Sequence, residues 1–169
     1  LNAAGAVLVA HLSGLSTAII TRGLSEFTGS ARRFELVHKY ESTYLYDDYA
    51  HHPREIAAVL QAARSKFPNN RIIAIFQPHT FSRTHAFEAD FLSSLQHADK
   101  AYILQVFSSA RELSDTKTEP HLGHLYTADE VCNELGHEQL GNTTILTMGA
   151  GDIYTMHPKL LTVIRTSYE

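Results

Sequence analysis

Five consecutive apolar residues, Ile72-Ile73-Ala74-Ile75-Phe76, constrain this chain most. A run that short with no polar member fits a strand buried on both faces, as in a parallel sheet covered by helices. Before it, Ile56, Val59, Leu60 and Ala63 recur at helical spacing behind Pro53. Proline is favoured at a helix start, where its missing N–H is not needed. After it, Phe87, Phe91 and Leu95 form another helical stripe, and residues 102–106 read as a strand. Residues 108–123 read as a long polar loop. Thr127 and Glu130 form a capping box for a helix ending at Gly136. Residues 144–148 give a further strand, and Asp152 starts a last helical segment. Pro158 lies inside that segment and is expected to kink it or restart it one turn later. Upstream, residues 34–37 and 43–46 are β-prone runs around a polar turn. The alternation predicts the α/β class, in three layers, with a mostly parallel sheet and helices on both faces.

The first thirty residues differ. Residues 2–13 read as an Ala-, Val- and Leu-rich helix stopped near Gly14. Ser16 is placed to cap a second helix through about Phe27, with Leu24 and Phe27 on one face. Two apolar helices without a strand cannot close a core. They read as the tail of a preceding domain, with residues 28–31 as a hinge, dividing the chain into 1–30 and 31–169. The start at Leu1 suggests a piece of something longer. The apolar opening run falls short of the ~20 residues of a membrane span. It lacks a basic flank and a cleavage site, so it does not read as a signal peptide.

Hydrophobic residues make up 44% and charged residues 19%, enough for a proper core. The formal charge of −4 gives no electrostatic case for nucleic acid or an anionic membrane. The single cysteine, Cys132, excludes an internal disulfide and fits a reducing, cytoplasmic setting. Histidine is unusually frequent, at 11. His121 and His124 lack cysteine partners, and no zinc spacing occurs, so no metal site is assigned.

Chemistry collects after the strands. Asp47-Asp48-Tyr49-Ala50-His51-His52 follows the first helix-linked strand, and Gln77 to Thr84 follows the second. Phe107 to Glu112 and Gly149-Ala150-Gly151-Asp152 follow the next two. In a parallel sheet all four lie at one edge, where ligands bind. Ordinary roles compete. One of Asp47 and Asp48 is expected to cap the Pro53 helix. His51 and His52 suit a surface loop, Pro78-His79 a turn, and Arg83 a helix salt bridge. Arg33 is equally readable as an exposed strand-end residue or as a phosphate ligand at a domain boundary. Gly149-Ala150-Gly151 lacks the third glycine of a dinucleotide fingerprint, so no NAD site is read.

Taken together, Arg32-Arg33-Phe34-Glu35, Asp47 to Pro53, Phe76 to Thr84 and Gly149 to Asp152 resemble the C-terminal domain of the Mur ligases. The resemblance is nearest to the branch that joins L-alanine to UDP-N-acetylmuramate. It covers nearly the whole chain, with Leu1-Asn2-Ala3-Ala4 inside the last helix of the family's central ATPase domain. It implies a Rossmann-like fold and a part in an ATP- and magnesium-dependent ligation that serves peptidoglycan synthesis. There, a substrate carboxylate is phosphorylated and the alanine amine then displaces phosphate. It implies nucleotide contacts for Arg33 and Asp48, and an alanine pocket from Tyr49, His51, His79 and Arg83. Arg83 suits the alanine carboxylate, and His51 suits orienting or deprotonating the amine. Thr80 departs from the second arginine of close relatives, and Pro158 is unusual in the last helix. No Gly-x-x-x-x-Gly-Lys-Ser/Thr phosphate loop occurs, and magnesium ligands are expected outside these residues, so the chain alone is expected to be inactive. Two other readings are a ligase that reattaches recycled murein peptide and a non-catalytic nucleotide-binding module. Gln77-Pro78-His79 counts against the former.

Overall fold

The computed structural model describes residues 2–27, 29–108 and 120–169. The chain divides into two units, Leu1–Ala31 and Arg32–Glu169. The first contains helices α1 (Asn2–Leu12) and α2 (Thr17–Glu26). Ser16 caps α2 by accepting from the Ile19 amide. Among the described residues neither helix has a buried side chain to hold a core, and Leu12 and Phe27 are both well exposed.

The second unit is an α/β sandwich on a five-stranded sheet of order β1-β2-β5-β3-β4. Its strands are β1 (Glu35–Tyr40), β2 (Thr43–Asp48), β3 (Arg71–Phe76), β4 (Lys100–Ile103) and β5 (Thr143–Met148). β1 and β2 form an antiparallel hairpin, and all other pairings are parallel. The hairpin follows from the short turn at Glu41, which leaves no length for a crossover.

Strand alternation builds two cores. Tyr46, Ile72, Ala74, Phe76, Leu146 and Met148 face one side. They pack with Ile56 and Leu60 of α3 (Pro53–Lys66) and Phe91 and Leu95 of α5 (Glu88–Leu95). Leu45, Ile73, Ile75 and Ile145 face the other. There they meet Val131 and Leu135 of α6 (Ala128–Gly136) and Leu160 and Ile164 of α7 (His157–Thr166). All five residues from Ile72 to Phe76 are buried, as a central strand covered twice requires. Each isoleucine and the phenylalanine of this run stabilises the fold by roughly 1.5–3 kcal/mol relative to exposure.

Several local expectations shift. The strand read at 102–106 spans Lys100–Ile103, because Leu104 leaves the ladder to bridge Tyr126. A short helix α4 (Phe81–Ala86) precedes α5, with a break at Phe87. Pro158 does not kink α7. It stands in its first turn, after a 3-10 turn over Ile153–Met156, so the helix restarts there. The capping box of Thr127 and Glu130 is formed at both bonds. Most of the loop read at 108–123 lies outside the described residues.

Candidate functional site

The strand order sets the carboxyl ends of β2, β5, β3 and β4 side by side, so the four βα junctions meet at one edge. Backbone bonds join them: the Gly149 amide donates to Asp48 O (3.1 Å), and the Gln77 amide to Met148 O (2.9 Å). Both glycines are needed for this approach. A Cβ on Gly149 would stand 2.7 Å from Gln77 O, and one on Gly151 would stand 2.6 Å from the Phe107 ring. Phe107 in turn pairs with His79, their rings stacked with centroids 5.5 Å apart.

Asp47 and Asp48 end β2 and point to opposite faces, as successive strand residues must. Both are buried. Asp47 accepts from Arg32 Nε (2.9 Å) and from the Thr147 hydroxyl (2.9 Å). Asp48 accepts the Phe34 and Ala50 amides, each at 2.7 Å. Burial pushes the Asp48 carboxyl up, against the pull of those two amides and of Arg33, and the Asp47 charge adds to the rise. Neither aspartate caps α3. That role falls to His52, whose Nδ1 accepts from the Arg54 amide, because both carboxylates are spent within the sheet edge before the helix begins.

Tyr49 is exposed and carries the chain out of the edge. Its amide donates to Arg32 O at 2.7 Å. His51 lies edge-on to the Tyr49 ring, centroids 5.3 Å apart. Its Nδ1 is 3.0 Å from Tyr49 O, which can only accept, so in the neutral ring Nδ1 bears the proton and Nε2 keeps a free lone pair. Glu55 of α3 accepts the His51 amide and lies 3.5 Å from Nδ1. Partial burial works to raise the Glu55 carboxyl, but the His51 amide and charge, the His52 amide and Arg33 outweigh it and hold it below the usual range. This support from Glu55 is absent from the sequence reading, although its position in the first turn of α3 signals it.

Arg33 is exposed, and its guanidinium lies over the Tyr49 ring at 5.6 Å. Arg83 is half-buried in α4 and, among the described residues, pairs with no carboxylate. Thr80 precedes α4 at φ 71°, a left-handed backbone that a β-branched residue rarely adopts. Thr80 N donates to Phe107 O, and the Thr84 amide and hydroxyl return to Thr80 O, which hold it there. The edge therefore carries Arg33 with Tyr49 and His51 on one side and His79 stacked on Phe107 on the other, joined through Gly149, Gly151 and Gln77, with Arg83 in the helix that follows His79.

Arg32 is the residue the motif reading passed over. The adjacent Arg33 took the functional assignment, yet Arg32 is the one turned inward, reaching Asp47 and the carbonyls of Gly149 and Gly151. Among the described residues no three His, Cys, Asp or Glu side chains form a metal-binding group. Asp47 and Asp48 are committed to arginine, hydroxyl and amides, so they do not make a magnesium site on their own. No described helix is long and apolar enough to cross a membrane.

A family model described as the Mur ligase, glutamate ligase domain matches residues 32–151. Over 156 residues the chain is 42% identical to the UDP-N-acetylmuramate–L-alanine ligase of Lacticaseibacillus casei, covering 90% of this chain and 36% of that one. The crystal structure of a UDP-N-acetylmuramate-alanine ligase from Thermotoga maritima superposes with a TM-score of 0.76 at 29% identity, over 98% of this chain and 37% of that one. A murein peptide ligase from Psychrobacter arcticus gives a TM-score of 0.67 at 26% identity, over 96% and 36%. The chain spans about a third of the length of the curated relatives it matches. With residues 32–151 matched by that model, this chain belongs to the Mur ligase family and carries that family's C-terminal domain.

Proposed function

We propose that this chain is the amino-acid-binding, domain-closing part of an ATP-dependent ligase that joins L-alanine to UDP-N-acetylmuramate for peptidoglycan synthesis in the bacterial cytoplasm. The observation that carries the reading is the 42% identity to a ligase named for that reaction, across the motifs gathered at the sheet edge. Residues 1–30 are the helical tail of the central ATP-binding domain, and residues 31–169 are the closing domain. Arg33 meets nucleotide phosphate as an exposed cation. Asp48 takes ribose hydroxyls through the lone pairs its two amides leave open.

On the other side, Arg83 holds the alanine carboxylate in a bidentate pair, a role open to a guanidinium that pairs with no carboxylate among the described residues. Tyr49 and His79 wall the pocket. His51 presents Nε2 to the alanine amine, orienting it and accepting its proton as it attacks the acyl phosphate. Closure by this domain excludes water and strengthens each of these contacts. Magnesium would bind mainly through the central domain and neutralise phosphate charge. With no phosphate loop, residues 1–169 alone do not catalyse ligation.

The ligation of recycled murein peptide is the second reading, favoured by the likeness to the Psychrobacter arcticus enzyme and to a domain of a peptide ligase from Haemophilus ducreyi. Phosphate release by the full-length protein separates the two. Turnover should require ATP, UDP-N-acetylmuramate and free L-alanine, and a tripeptide should not replace alanine. Arg83→Ala and Tyr49→Ala should each raise the KM for alanine. If neither changes KM or kcat/KM, the pocket assignment is wrong.

A further inference from the structure

Arg32 makes more contacts at the edge than any ligand-facing role would leave room for. Nε donates to Asp47 Oδ2 at 2.9 Å, one terminal nitrogen to Gly151 O at 3.1 Å and the other to Gly149 O at 2.5 Å. All of its side-chain nitrogens are thus used inside the protein. The guanidinium plane is also flanked by aromatic faces, with the Tyr49 and Tyr154 centroids each 5.2 Å away. The backbone adds a further tie: Arg32 is held at φ 54°, its amide donates to Glu35 (2.6 Å), and its carbonyl accepts the Tyr49 amide (2.7 Å).

We infer that Arg32 is a positioning residue that sets Tyr49, and through Tyr49 His51, against the Gly149–Gly151 turn. The inference rests on the reading of Tyr49 and His51 as the amino-acid side of the site. Tyr49 is exposed, and Arg32 holds it twice, through the carbonyl that accepts its amide and the guanidinium over its ring, with Arg33 and His51 also against the ring. His51 inherits that place through its Nδ1 contact with Tyr49 O and its edge-on contact with the Tyr49 ring. The Gly149–Gly151 turn also supports Gln77 and Phe107, so one guanidinium keeps the two halves of the edge in register. Arg33, one residue on, is exposed, with its guanidinium over the Tyr49 ring at 5.6 Å. The adjacent arginines therefore divide the work, one fixing the wall and the other facing the ligand. Lysine does not replace Arg32, because a single ammonium cannot serve three acceptors in one plane while lying flat between two rings.

The test uses the full-length protein with Arg32→Ala and Arg32→Lys, reading KM for L-alanine and for ATP together with hydrogen exchange at the Tyr49 and β3 amides. In Arg32→Ala the alanine KM should rise about tenfold or more while the ATP KM stays within about twofold. Millimolar guanidinium should restore part of the alanine KM, which a general loss of stability would not allow. Arg32→Lys should restore little of it, and serves as the folded variant should alanine not be tolerated. Protection should fall at the Tyr49 amide and persist in β3. Equal changes in both KM values, or no change in either, overturns the inference. If the wild-type protein shows no alanine-dependent turnover, the proposed function fails by itself. Exchange then decides: selective loss at Tyr49 supports the positioning role, and unchanged protection there overturns it.

Discussion

His157 Nε2 lies 3.7 Å from Asp47 Oδ1, and the Thr147 hydroxyl bridges the gap, 2.9 Å from each. Thr147 gives its proton to the carboxylate, so the neutral imidazole must donate from Nε2. Burial pulls the His157 pKa below its ordinary 6.5, with Arg32 acting the same way, against the pull of Asp47 and Glu35.

A depressed histidine has a definite sign. The unfolded chain takes up the proton first, so His157 contributes stability above its unfolded pKa and loses it as pH falls through about 6.5 toward the folded value. The melting temperature should therefore drop from pH 7 to pH 5, and His157→Gln should flatten that drop while keeping a donor to Thr147. Parallel curves for the two proteins would exclude His157 as the source.

Asp48 offers two acceptor oxygens to two amides, one buried and one part-buried, and asparagine offers one. Asp48→Asn should leave the Phe34 or the Ala50 amide facing an NH2 group, a loss of about 1–3 kcal/mol. Urea unfolding should show a lower midpoint with an unchanged slope. An unmoved midpoint would mean that the amides find another partner.

Gly149 and Gly151 should differ in their tolerance of a methyl group. At Gly149 the added Cβ meets backbone, 2.7 Å from Gln77 O, at φ 154°. At Gly151 it meets the Gln77 side-chain end and the Phe107 ring, both at 2.6 Å. Both substitutions should destabilise, by about 1–3 kcal/mol for overpacking, with Gly149→Ala the more costly because backbone cannot swing aside. Chemical denaturation of the two variants checks the order.

His51 should act through Nε2. In the full-length protein His51→Ala should lower kcat by about 100-fold or more if it takes the amine proton. Glu55→Gln should have a smaller effect, because the Nδ1 contact with Tyr49 O still fixes the tautomer. A His51→Ala enzyme with unchanged kcat and a raised alanine KM would assign the ring to orientation alone.

The strands, the helices and the edge that holds the site were legible because each rests on local chemistry. Ile72 to Phe76 has no polar residue, so both faces had to be covered. Ser16, Thr127 and Pro53 mark helix starts by what their side chains or missing N–H can do. Asp47 and Asp48 were not legible in the same way. Adjacent in sequence and alike in charge, they are separated only by strand alternation, which sends one to Arg32 and Thr147 and the other to two amides. His52 took the expected capping role for the same reason.

Periodicity and turn chemistry established an α/β chain with its reactive residues after the strands, since hydrophobic spacing and capping act within a few residues. The order β1-β2-β5-β3-β4, the inward turn of Arg32 and the Asp47–Thr147–His157 bridge were decided only by folding. They join residues 10 to about 120 positions apart, and contacts over such distances depend on which elements lie side by side. Two adjacent arginines are chemically identical in the chain. Asp47 and the carbonyls of Gly149 and Gly151 make one of them part of the wall and leave the other exposed.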